Sequence, residues 1–159
     1  MNRKIWLEDI FPLISEQLNS GGSASFTIRG TSMLPMLQDG IDSVRIIKPI
    51  VLPKKYDIIF YRRDDGTFIL HRIVGIKDGD YICRGDNQTE NEFPVKNGSI
   101  IGIVTEYTKN GKAIKFDSIR QTVYSRFVVN TVLLKKVLRI LVAKARKLKN
   151  SFTKESSSK

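Results

Sequence analysis

The chain has 159 residues, 41% of them apolar and 27% charged, which is enough for one globular domain with a core of its own. It has no run of 18 uncharged apolar residues to span a bilayer, one cysteine and hence no internal disulfide, and one histidine, which leaves no ordinary zinc site. The formal net charge of +11 is uneven: residues 1–119 hold 16 Lys and Arg against 15 Asp and Glu, whereas residues 120–159 hold 11 against the single Glu155.

Leu7, Ile10, Phe11, Ile14 and Leu18 recur at helical spacing, so residues 4–19 read as an amphipathic helix that Pro12 must start, kink or interrupt. Glu8 and Asp9 inside this apolar stretch, with no cleavage signature after it, argue against a secretory signal. Asn19-Ser20-Gly21-Gly22 ends the helix. Strands are expected at 24–29, 43–47, 57–62, 67–75, 80–84, 99–108 and 113–116. Asp64-Asp65-Gly66, Asp78-Gly79 and Asn110-Gly111 between them are hairpin turn signals, because Asp-Gly and Asn-Gly tolerate positive φ.

From about Asp117 the period becomes helical. Leu133, Leu134, Val137, Leu138, Leu141 and Leu148 fall on one side of a helical wheel, and Lys135, Lys136, Arg139, Arg146 and Lys147 on the other. The expected division is therefore an N-terminal helix and linker (1–23), a mostly β domain (24–116), a long basic amphipathic helix (117–150) and a disordered polar tail (151–159). Such a helix suits an anionic membrane surface, and equally suits packing its leucines on the β domain with the cations in solvent. No recognition motif for nucleic acid accompanies the charge, so none is expected as a partner.

Three positions carry chemistry. In Gly30-Thr31-Ser32-Met33-Leu34-Pro35, a glycine turn after a strand can present the Ser32 hydroxyl beside free amides, as a nucleophile requires. An ordinary loop serine fits the same spacing. His71, the only histidine, shares a strand face with Ile69 and Ile73, so partial desolvation should keep its imidazole neutral, the form a general base needs. A structural core histidine is the alternative. A two-residue Asp78-Gly79 turn sets Lys77 opposite Asp80, and hence His71 opposite Asp86, where a carboxylate could orient the ring. A different loop would spoil that alignment, and Asp86 in Gly85-Asp86-Asn87 could equally be a turn residue.

Gly30–Pro35, Tyr56–Phe60, His71–Gly75, Arg84–Asn87 and Ile100–Val104 occur in an order that resembles the type I signal peptidases and the related LexA-like repressor peptidases, over roughly residues 24–105. The His71-Arg72 pair is similar to the histidine variant of the endoplasmic-reticulum and archaeal enzymes, here without the usual N-terminal membrane anchor. The resemblance implies a barrel-like β catalytic domain, Ser32 as nucleophile, His71 as base, Asp86 as the aspartate of the Gly-Asp-Asn box, and Glu92 near a second acidic position. Gly30 stands where bacterial signal peptidases carry an oxyanion-hole serine, so the oxyanion and substrate contacts are expected from Gly30, Thr31 and Met33 around the Ser32 amide. The implied activity is serine endopeptidase cleavage of exported-type precursor peptides, with neither cofactor nor metal. A LexA-like self-cleaving or catalytically silent peptide-binding regulator is the alternative. The expected location is peripheral on a membrane, by default on its cytoplasmic side.

Overall fold

The computed structural model describes residues 7–116, 119–132, 137 and 141. The chain opens with helix α1 (Leu7–Asn19), continues through strands β1 (Ser23–Thr27), β2 (Ser43–Ile47), β3 (Ile58–Arg62), β4 (Phe68–Lys77), β5 (Asp80–Arg84), β6 (Glu92–Val95), β7 (Ile100–Lys109) and β8 (Lys112–Lys115), and ends in helix α2 (Ile119–Asn130). All pairings are antiparallel. The sheet order is β1-β2-β7-β3-β4-β5-β6, with β8 pairing β7 off this path. The mostly β expectation is met.

Period-2 patterning locates the strands well, and β2 and β5 coincide with the expected ranges. The unexpected strand is β6, which contains Pro94. It ends the sheet order, where a missing N–H costs no ladder bond. Asp78-Gly79 and Asn110-Gly111 form the expected tight turns, with φ of 53° and 85° in the first and 50° and 73° in the second.

Alternation along β3 splits the core between the two faces of the sheet. Ile58 and Phe60 join a cluster with Val44, Ile46, Val104, Met36 and Leu37. Ile59 and Tyr61 join a second one with Ile73, Tyr81, Cys83 and Val95. Helix α1 buries Ile14 and Leu18 on the first cluster, with the Phe11 ring 4.7 Å from that of Phe68. Pro12 lies inside α1. It forgoes one helical hydrogen bond, which the burial of Ile14 and Leu18 offsets.

Helix α2 meets the sheet with a mixed face. Gln121, Ser125, Val128 and Val129 are buried, while Val123 and Phe127 point to solvent. Of the long basic helix expected over 117–150, α2 and helical residues 132, 137 and 141 are described, and Val137 and Leu141 are exposed. Leu133, Leu134, Leu138, Leu148 and the cations of the expected wheel lie outside the described residues.

Candidate active site

The segment between β1 and β2 is a tied loop. At its root Ile28 donates to the Asp42 carbonyl and Gly40 donates to the Ile28 carbonyl, both at 3.0 Å. Met33, Met36 and Leu37 are buried in the first cluster and pin the loop from beneath. Lys109 of β7 clamps it from the side, donating to the carbonyls of Pro35 and Met36 at 2.7 and 2.8 Å. Ser32 precedes the first of these anchors and is half-buried. Gly30 adopts φ of 98°, a left-handed value that favours glycine, and its N–H is committed to Asp39 Oδ1 at 2.9 Å. The Thr31 carbonyl accepts from Leu34 N–H and Asn87 Nδ2. Among the described residues the N–H groups of Ser32 and Met33 have no acceptor, which leaves two adjacent donors for an oxyanion.

His71 sits on β4 opposite Ile59 and is only 4% exposed. Ser32 and His71 line one small cavity of 90 Å³, together with Ile28, Met33, Phe68 and Leu70. Their convergence is tertiary: β1 and β4 are separated by three strands in the sheet order, and the loop after β1 spans the gap.

The imidazole has a built environment on its Nδ1 side. Tyr61 donates its hydroxyl to Glu92 Oε2 at 2.8 Å, and the same oxygen lies 3.4 Å from His71 Nδ1. With the tyrosine proton committed to Glu92, the Tyr61 oxygen can only accept from the ring, an arrangement that favours the tautomer with its proton on Nδ1 and its lone pair on Nε2. Glu92 Oε2 is also 3.8 Å from Nδ1. Arg63 closes the cluster with bonds of 2.6 Å to both Glu92 oxygens. These bonds from Arg63 hold the Glu92 carboxyl below its usual range, against the opposing effect of burial. Burial pushes His71 down to about 4, with the Glu92 charge and, more weakly, the Asp86 charge opposing and Arg63 reinforcing the shift. At neutral pH the ring is uncharged and can accept a proton.

Asp86 is buried elsewhere. Its two oxygens take a forked pair from the fully buried Arg72, Nε to Oδ1 at 2.8 Å and Nη2 to Oδ2 at 2.7 Å. Arg72 Nη1 also donates to the Tyr56 carbonyl at 3.0 Å and to Ser125 Oγ at 2.6 Å, which ties α2 to this pair. The expected opposition of His71 and Asp86 is corrected by the register. Lys77 does face Asp80 and Ile76 faces Tyr81, but a bulge between Ile73 and Gly75 slips the ladder by one, so Arg72 faces Arg84. Carried one step further, that register sets His71 beside Gly85, and the Asp86 side chain turns to the Arg72 face.

The Gly85-Asp86-Asn87 turn nevertheless reaches the serine. Asn87 N–H donates to the Ser32 carbonyl at 2.7 Å. At Gly85 a Cβ would stand 2.6 Å from that carbonyl oxygen and 2.9 Å from the Ser32 Cβ, so only glycine lets the turn approach this closely. The Arg72–Asp86 pair thus anchors a turn that holds the backbone of Ser32. Of the expected site, Ser32, Gly30, Met33 and His71 are gathered at one cavity; Thr31 is exposed and does not line it, and Asp86 supports the site through the Asn87 turn. Tyr61, Arg63 and Arg72 were not legible as site residues, because their partners lie on strands or turns far away in sequence. Glu92 was marked only by the family resemblance, as near a second acidic position.

Among the described residues no group of three His, Cys, Asp or Glu is placed to hold a metal ion. Among the same residues no helix is long and apolar enough to cross a membrane. No protein-family model matches the chain, and no curated protein matches it.

Proposed function

We propose that the chain is a serine endopeptidase resembling signal peptidase I, acting on exported-type precursor peptides with Ser32 as nucleophile and His71 as base. The observation that carries this reading is the sharing of one cavity by the Ser32 hydroxyl-bearing turn and a buried histidine whose Nδ1 lies 3.4 Å from the Tyr61 hydroxyl that donates to Glu92. Ser32 Oγ attacks the scissile carbonyl carbon and gives its proton to His71 Nε2. The oxyanion accepts from the Ser32 and Met33 amides. Collapse breaks the peptide bond, and His71 passes its proton to the leaving amine. Water then enters, loses a proton to His71 and releases the acyl group from Ser32. The tautomer-fixing role expected of Asp86 falls to Glu92 acting through Tyr61. Asp86 serves by positioning Ser32 through Asn87.

The test is cleavage of a quenched peptide with small residues at positions −1 and −3 by Ser32→Ala and His71→Ala. Each should lose on the order of 10³-fold in kcat/KM. Undiminished cleavage by either would remove the assignment. A serine-directed acylating inhibitor should label Ser32; absence of labelling in an intact fold would favour a silent peptide-binding regulator. Intramolecular cleavage at a rate independent of dilution would favour the LexA-like self-cleaving alternative.

A second reading concerns location. Val123, Phe127, Val137 and Leu141 are exposed on helical residues within the strongly cationic C-terminal part, an arrangement suited to an anionic membrane interface. We therefore propose that this part of the chain lies peripherally against such a surface. Flotation of the full chain with anionic but not with neutral liposomes is the expected result, and equal behaviour with both would refute it.

A further inference from the structure

A second cavity, of 730 Å³, is lined in part by Tyr56 and Ser125, the partners of Arg72. It opens where β3 leaves β7 and β8 takes over as its neighbour, and α2 roofs it. Its volume falls within the range of small-molecule sites, roughly 300–1,000 Å³. Five cationic side chains line it: Arg45, Lys54, Lys55, Lys115 and Arg126. Two acidic groups oppose them. Glu106 stands between Arg45 and Lys115 in a row across β2, β7 and β8, with Arg45 Nε 3.7 Å from its carboxylate. Asp57 accepts from the backbone N–H of Lys54 at 2.8 Å. The lining therefore keeps an excess of three positive charges over an apolar floor of Val104 and Phe116.

We propose that this cavity binds a small phosphate ester, its phosphate against the cations and its apolar or aromatic body on Val104 and Phe116. The cations come from three directions: the loop before β3, the β2–β8 rim and α2. That spread suits a tetrahedral dianion, whereas a planar carboxylate is best met by one guanidinium fork. Inorganic phosphate alone would leave most of the space empty, and the floor offers burial for an attached group. Surplus charge facing a concave, low-dielectric wall also raises the local concentration of anions.

The site is wired to the catalytic turn. Ser125 and Tyr56 both line the cavity, and both bond Arg72 Nη1. Arg72 holds Asp86, and the next residue, Asn87, holds Ser32. A bound ester steadies α2 on the body and, through that chain of bonds, the nucleophile turn.

Calorimetric titration of the full chain with phenyl phosphate tests this without reference to peptidase activity. Saturable one-to-one binding is expected, at least about tenfold tighter than for benzoate, which has the same ring and a planar carboxylate. Lys115→Glu with Arg126→Glu should weaken it by about tenfold or more, and so should Lys54→Glu, which leaves α2 untouched. Lys77→Glu, on the exposed end of β4, should bind as the parent does. Absence of saturable binding would overturn the proposal. So would benzoate matching phenyl phosphate, or Lys54→Glu and Lys77→Glu having the same effect.

Discussion

The replacement of Glu92 by Gln separates the two carboxylates that compete for the role of orienting His71. The amide keeps the shape and still offers an oxygen to the Tyr61 hydroxyl, so the lost quantity is charge. An imidazolium 3.8 Å from a carboxylate is favoured by about 4 kcal/mol at an effective dielectric of about 20. That figure is an upper bound here, because Arg63 binds both Glu92 oxygens at 2.6 Å and neutralises much of the field. A net loss of roughly 1.5–3 kcal/mol in transition-state stabilisation corresponds to a fall of about 10–100-fold in kcat/KM. Arg63, left without its carboxylate, also repels the imidazolium, so the pH at which activity fails should move further down. The assay is the pH profile of kcat/KM on the quenched peptide, for Glu92→Gln, Tyr61→Phe and Asp86→Asn side by side. Glu92→Gln and Tyr61→Phe should share the loss and alter the profile, whereas Asp86→Asn, whose charge acts on His71 more weakly than that of Glu92, should lower the rate and move the inflection down less than Glu92→Gln does. If Glu92→Gln stays within about twofold of the parent while Asp86→Asn shifts the inflection by more than Glu92→Gln does, the assignment of the orienting acid is wrong.

Asp86→Ala strands the fully buried Arg72 guanidinium and should cost roughly 3–5 kcal/mol of stability. Urea unfolding with an unchanged m-value measures it, and a cost below about 1 kcal/mol would contradict a desolvated pair. His71 has its pKa lowered from 6.5 to about 4 on folding, so between these values the unfolded chain binds a proton that the folded one refuses. Its contribution, about 3 kcal/mol, is complete above pH 6.5 and is lost as pH falls towards 4, a slope that His71→Asn should flatten in urea titrations at successive pH values. By the same shift kcat/KM should hold through neutrality and fall only near pH 4; an inflection near 6.5 would show an imidazole more solvated than this one. Gly85→Ala should push the Ser32 backbone away from its observed place, since the new Cβ would meet the Ser32 carbonyl at 2.6 Å. Peptidase activity should drop at least about tenfold in a protein that still melts cooperatively, and full activity would mean the turn yields at no cost.

Much of this molecule is written in local pattern. Alternation of apolar residues places seven of the eight strands, because a strand that is half-buried must repeat every second residue whatever surrounds it. The Asp78-Gly79 and Asn110-Gly111 turns follow from side chains that tolerate positive φ, and His71 between two isoleucines already implies a desolvated ring. The Gly30–Pro35 box pointed to Ser32 because a glycine turn after a strand can present the serine hydroxyl and a backbone amide together.

Other features depended on long-range placement. The bulge between Ile73 and Gly75 is set by how β4 fits β5, and that single slip sends Asp86 to Arg72 instead of His71. Strand β6 was hidden because Pro94 is tolerated only at a sheet edge, and the edge is a property of the finished sheet. Glu92 on β6 was marked by the family resemblance, but its partners Tyr61 and Arg63, on a strand and loop some thirty residues earlier, were not. Residue types and periodicity determined which groups could do chemistry. Register and curvature decided which of them meet, because the free energy of a buried carboxylate depends on the charge beside it in space.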